Sequence, residues 1–119
     1  SISYLVDVYR RYRERYEHKG LRVGQIVAVP VSHAPLRIIV NAIIQVDVGR
    51  DPRRVYVDYV GLGHCFVLVR TLWDSLRDPS VVVNFPLIGC GLAHGNWDEV
   101  AQRIEHALGP EIPKCLWVL

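Results

Sequence analysis

A chain of 119 residues, half of them apolar, is long enough for one compact core and too short for two ordinary domains. With a formal charge of only +2 and acids and bases interspersed, overall charge gives no argument for a nucleic-acid binder. No apolar run approaches the ~18 residues of a membrane span and no basic region followed by an apolar segment opens the chain, so a soluble protein without membrane partners is expected.

From Tyr4 to about His18 the residues Tyr4, Val8, Tyr12 and Tyr16, joined by Leu5 and Tyr9, repeat at helical spacing against Arg10, Arg13, Glu14 and Glu17. That pattern predicts an amphipathic helix closed by Gly20, with basic residues at the negative end of its dipole. The tyrosine stripe serves either as core or as a stacking surface for a ligand.

Gly24 to Val31 and Arg37 to Gln45 are rich in Val and Ile and are separated by the polar turn "SHAPL", which predicts two strands. The near-continuous apolar run of the second predicts burial on both faces, as inside an α/β sheet. A loop broken by Gly49 and Pro52 follows, and it holds the one local basic concentration, Arg50, Arg53 and Arg54.

Asp58 is placed to cap a helix running to about Arg77, with Leu62, Cys65, Phe66, Val69, Leu72, Trp73 and Leu76 as its apolar stripe. Gly61 and Gly63 weaken its first turns by up to ~1 kcal/mol each relative to alanine. Ser80 to Phe85 reads as a short buried strand, and Lys114 to Leu119 as a last one. Between them, Asn96 followed by Glu99 resembles a capping box for a helix from Trp97 to Leu108, ended by Gly109 and Pro110. The order is helix, strand, strand, helix, strand, helix, strand, which predicts a single domain, residues 1–119, with a three-layer α/β/α architecture on a mixed sheet.

In such folds ligands collect beyond the carboxyl ends of strands, where "PLIGCGLAHGN" lies between a strand and a capped helix. Gly89, Gly91 and Gly95 have no Cβ, so backbone N–H groups can approach one oxyanion, with the helix start adding favourable potential. A diphosphate is a natural guest, and a simple change of chain direction is the alternative.

The segment "NFPLIGCGLAHGNWDEVAQRIEHAL" with its terminal "CLWVL" resembles the closing strand, second phosphate loop, helix and last strand of macro domains, which bind ADP-ribose. It is most similar to a small branch, common in bacteria and phages, that includes enzymes removing ADP-ribose from acidic side chains or from thymidine in DNA. "VGQIVAVPV", "IIVNAIIQVDVGRDPRRVYVDY" and "VYRRYRERYEHKG" occur in the order of that family's middle region, so the resemblance covers nearly the whole chain.

The resemblance implies that the backbone around Gly89, Cys90, Gly91, Leu92 and Ala93 wraps the diphosphate and distal ribose of ADP-ribose, with His94 and Gly95 completing the wall. Cys90 is then a small residue between two glycines; its rival role is a thiolate nucleophile activated by His94. The hydrolases of this branch use a lysine near the end of the middle strand and an aspartate in the second loop, and Gln45 and Ala93 stand in those places here. An amide cannot replace that nucleophile, so Gln45 and His94 are left as candidates for orienting water or a ribose hydroxyl, and Arg50 for neutralising a phosphate. Gln45 and Arg50 read equally as strand-end and loop-solvating residues.

Family members also begin with a strand ending in Gly-Asp and a first glycine loop, neither of which is found in these residues. The resemblance therefore implies roughly 30 to 40 further N-terminal residues, or a partner chain or oligomer contact, to cover the flank of Ile38 to Ile44.

Three readings of function follow. One is an ADP-ribose-binding domain that hydrolyses ADP-ribosyl groups on protein or nucleic acid, or acts on an ADP-ribose phosphate. The others are a non-catalytic ADP-ribose-binding module, and an assembly protein that has lost the ligand. His33, His64 and His106 lack metal-ligand spacing, and the three cysteines, Cys65, Cys90 and Cys115, are scattered without a CxxC pair. Neither metal, cofactor nor disulfide is expected, and a reducing, cytoplasmic setting fits.

Overall fold

The computed structural model describes Arg10, Glu14, residues 22–45, Asp51, and residues 53–90 and 94–118. Arg10 and Glu14 are helical, as the opening amphipathic pattern requires, and the rest of that expected helix lies outside the described residues. The described elements run β1 (Ile26–His33), β2 (Leu36–Ala42), α1 (Tyr59–Leu76), β3 (Val83–Phe85), α2 (Trp97–Leu108) and β4 (Lys114–Leu116). Helices and strands alternate through one core, so the class is α/β.

β1 and β2 form an antiparallel hairpin with Val29 opposite Ile39, and its register shifts between Pro30 and Ser32. Proline has no N–H to give to a ladder, which places the irregularity there. β1 starts later than expected because Gly24, at φ +93°, turns the chain and donates its N–H to the Ile43 carbonyl at 2.9 Å. β3 and β4 form a separate parallel pair, with Asn84 opposite Cys115. β3 is also shorter than expected: the Ser80 N–H and hydroxyl both bond the Asp78 carboxylate, at 3.0 and 2.6 Å, which holds the chain before it in a turn. β4 ends at Leu116, although the Trp117 N–H still reaches the Phe85 carbonyl at 2.9 Å.

Burial of β2 on both faces is not observed. Leu36 and Arg37 are exposed and every other residue of the strand is half-buried. A strand is buried on both faces only when other elements cover each face of its sheet, and among the described helices it is α1 that packs against β2.

α1 begins where the cap predicts, with the Asp58 carboxylate accepting the Gly61 N–H at 2.8 Å. Gly61 weakens the helix but permits a close crossing: a Cβ there would collide with the Val23 side chain at the entry to β1. The buried Cys65 thiol donates to the Gln25 and Ile43 carbonyls, each at 3.5 Å, and so ties α1 to the open end of the hairpin. The helix stops at Arg77, in the left-handed region at φ 53°.

Val100, Ile104, Ala107 and Leu108 of α2 lie on one face and are buried against Leu62 and Phe66 of α1 and Phe85 of β3. Phe66 and Phe85 meet edge to face at 5.8 Å between ring centroids. Among the described residues ion pairs stay at the surface, including Arg70 with Glu111 at 2.7 Å. No described helix is long and apolar enough to cross a membrane.

Stability should therefore rest on the α1–α2 contact. Ile104→Ala is expected to cost about 2–5 kcal/mol through lost transfer energy and the cavity left behind, and Arg70→Ala no more than about 1 kcal/mol. Urea unfolding of the two variants checks this, and a larger loss for Arg70→Ala contradicts the assigned core.

Candidate functional site

The run Tyr56, Val57, Asp58, Tyr59 is the platform on which the glycine loop rests. Val57 is held by an antiparallel bridge to Gln45, and the Asp58 N–H donates to the Ile44 carbonyl at 2.6 Å. These bonds fix the run beside the end of β2. Asp58 then starts α1, so the platform is rigid at both ends.

Beyond β3 the chain turns tightly, with Ile88 N–H donating to the Pro86 carbonyl at 2.7 Å and Cys90 N–H to that of Leu87 at 3.4 Å. Gly89 adopts φ +75°, which L side chains rarely accept. Its carbonyl receives the Gly95 N–H at 2.6 Å, which closes the loop on itself. The methyls of Val57 lie under both ends: a Cβ at Gly89 would come within 2.9 Å of one, and a Cβ at Gly95 within 2.8 Å of the other. Glycine is thus required at both positions by close approach, whatever the loop holds.

His94, also at positive φ (58°), faces Tyr56 at 6.1 Å between ring centroids. The Arg54 guanidinium lies over the Tyr56 ring, 4.9 Å from its centroid, and the Tyr56 hydroxyl accepts the Asp51 N–H at 3.2 Å. An arginine, a tyrosine and a histidine therefore line one rim of the loop. Tyr59 secures the other end, its hydroxyl accepting the Asn96 N–H at 2.9 Å.

The start of α2 differs from a reciprocal capping box. The Asn96 side chain accepts the N–H groups of Asp98 and Glu99, at 2.9 and 3.3 Å, as expected of an N-cap. The Glu99 carboxylate does not return to Asn96, however, because it pairs with Arg103 one turn along, at 3.0 Å, and Tyr59 takes the Asn96 N–H. These amides are occupied, and two carboxylates sit in the first turn of the helix. The helix start contributes less to anion binding than the sequence pattern implies.

Of the sequence-predicted site residues, the structure brings together Gln45, Gly89, Cys90, His94 and Gly95. Gly91, Leu92, Ala93 and Arg50 lie outside the described residues. Cys90 does not have the surroundings of an activated thiolate: its thiol donates to the Ile88 carbonyl at 3.4 Å, and burial pushes its pKa up. Sequence reasoning missed Tyr56, Val57 and Tyr59. Their signal was an aromatic on each side of the Val57–Asp58 pair, in a stretch read as a basic loop.

No family model matches the chain, and no curated protein matches it. Two solved structures from Bacteroides thetaiotaomicron share the fold. One is described as a protein of unknown function and superposes with a TM-score of 0.80 at 25% identity, over 92% of this chain and 69% of its own. The other is a crystal structure with a TM-score of 0.79 at 24% identity, over 92% of this chain and 70% of its own.

The cysteines give a direct check on the loop. A raised pKa lowers the thiolate fraction at any pH below it, so Cys90 should alkylate slowly near about pH 7.5 and faster as pH rises. With iodoacetamide and peptide mass mapping, exposed Cys115 is expected to react first and buried Cys65 last. Cys90 reacting ahead of Cys115 would restore it as an activated nucleophile.

Proposed function

We propose that this chain is an ADP-ribose-binding module of the macro-domain type, in which residues 88–97 enclose the diphosphate and distal ribose. In this reading its strands belong to one mixed sheet in a three-layer α/β/α arrangement. The observation that carries it is the closed loop itself. Gly89 and Gly95 are bonded to each other over Val57, which is bridged to Gln45, so neither glycine adds a side chain at this strand end.

Chemistry divides the labour. The amides of Cys90, Gly95, Asn96, Asp98 and Glu99 are committed within the chain, so a diphosphate would draw on other backbone donors of residues 88–97. Arg54, held over Tyr56, supplies positive charge at the rim. Tyr56 and His94 offer ring surface to a ribose or base.

With glutamine at position 45 and alanine at 93, binding is the activity these residues support best. Hydrolysis of an ADP-ribosyl bond would run through water oriented by Gln45 or His94, without a covalent ribosyl adduct on a lysine.

Calorimetric titration with ADP-ribose tests the reading. Binding weaker than micromolar is expected, with Gly91→Val abolishing it while leaving the unfolding transition in place. Arg54→Ala should weaken it about three- to ten-fold at low salt and less at physiological salt. Affinity unchanged by Gly91→Val, or no heat with the parent chain, contradicts the assignment.

A further inference from the structure

Val29 is 3% exposed, yet it does not belong to the core that α1, α2 and β3 share. Its partner across the hairpin is Ile39, and the pair on the same face toward the open end is Val27 with Asn41. Successive residues of a strand point to opposite faces of the sheet. Ile38, Val40 and Ala42 line a cavity with Phe66 and Val69 of α1, so Val27, Val29, Ile39 and Asn41 lie on the face turned away from that helix.

The two faces are covered unequally. Ala28 and Pro30, opposite Val40 and Ile38 on the α1 side, are exposed, whereas Val29 is sealed and Val27 and Ile39 are half-buried. The side-chain nitrogen of Asn41, Nδ2, is fully buried and has no hydrogen-bond partner. A bare face of a two-stranded hairpin would leave all four residues in water. α1 is the described helix packed on β1 and β2, and it lies on the other side. The cover therefore comes from residues of this chain outside the described ones.

Reach identifies them. Residues 46–50 are pinned at the platform, by the bridge of Gln45 to Val57 at one end and by the Asp51 N–H on the Tyr56 hydroxyl at the other. An excursion of that length turns back within about 10 Å, while Ile39 lies about 20 Å from Gln45 along the strand. Residues 91–93 are held between Cys90 and His94 at the glycine loop. Residues 1–21, by contrast, lead straight into the hairpin: the Arg22 N–H bonds the Gln25 side chain and the Gly24 N–H bonds the Ile43 carbonyl, each at 2.9 Å. A helix over residues 4–18 would span about 22 Å, close to the ~26 Å of β1. Arg10 and Glu14, one turn apart, are helical and exposed. The residues opposite them on such a helix are Leu5, Val8, Tyr12 and Tyr16.

We propose that residues 4–18 seat Leu5, Val8, Tyr12 and Tyr16 on the Val27, Val29, Ile39 and Asn41 face, with a tyrosine hydroxyl accepting the Asn41 amide proton. A buried amide left without an acceptor is destabilising, and a phenol hydroxyl is the acceptor this stripe brings. The charged side of the segment, with Arg10 and Glu14, stays in water. The tyrosine stripe is then core and not a stacking surface, so no ligand contact falls on it. The inference rests neither on ADP-ribose binding nor on the macro-domain resemblance.

The test uses the 119-residue chain and nuclear Overhauser contacts from the Val29 methyls and the Asn41 side-chain amide. Contacts to the rings of Tyr12 and Tyr16 are expected, made within one molecule when labelled and unlabelled protein are mixed. A pair of variants gives a second reading. Tyr12→Asp places a carboxylate on the buried face and should raise the unfolding constant at least about tenfold. Glu14→Gln, on the exposed face, should change it less than about threefold. Val29 contacts to any other segment, tyrosine contacts made only between molecules, a tolerated Tyr12→Asp, or a Glu14→Gln as damaging as Tyr12→Asp each overturns the proposal. Should Tyr12→Asp fail to fold, the contacts in the parent chain decide alone.

Discussion

The hydrogen bond from Gly95 to Gly89, made across the methyls of Val57, is the contact on which the glycine-loop end of this molecule depends. It brings the end of β3 back to the start of α2, and it forces glycine at both positions because any side chain would strike Val57 or the loop backbone. Val57 is in turn fixed by its bridge to Gln45, so the end of β2 and the platform are tied together under the two glycines. The distances here are short enough that a single added methyl would be felt.

That closure also sets what the loop can offer. A helix start next to a glycine loop usually presents free N–H groups to an anion. Here Asn96 and Tyr59 have taken several of them, and Asp98 and Glu99 place negative charge in the same turn. The chain has stabilised its own helix at some expense to electrostatic attraction. Any recognition of a diphosphate must therefore come from the loop backbone and from the Arg54 side of the rim. Tyr56 is what positions that rim, since it holds Arg54 on its face and has His94 as its ring neighbour.

The elements were legible wherever local chemistry decides them. Asp58 and Asn96 announced both helix starts, Gly109 the end of α2, and the Val100 to Leu108 spacing its buried face. What sequence could not supply was pairing. The run from Ile38 to Ala42 is apolar enough for an interior strand, but interior position requires a neighbour on each edge, and no pattern within the strand says whether one is present. The site was half legible for a similar reason. Glycines mark close approach, while the object they approach, Val57, lies more than thirty positions away in sequence and looks like any other strand residue.

We have proposed the Gly89–Gly95 loop on its Tyr56–Tyr59 platform as the ligand surface. Backbone amide shifts recorded by NMR during addition of ADP-ribose test it most directly. Changes should be confined to Gly89, Cys90, His94, Gly95 and the Tyr56–Tyr59 run, with the Arg70–Glu111 surface unmoved. Saturating shifts centred on another surface, or a spectrum that ADP-ribose leaves unchanged, would contradict it.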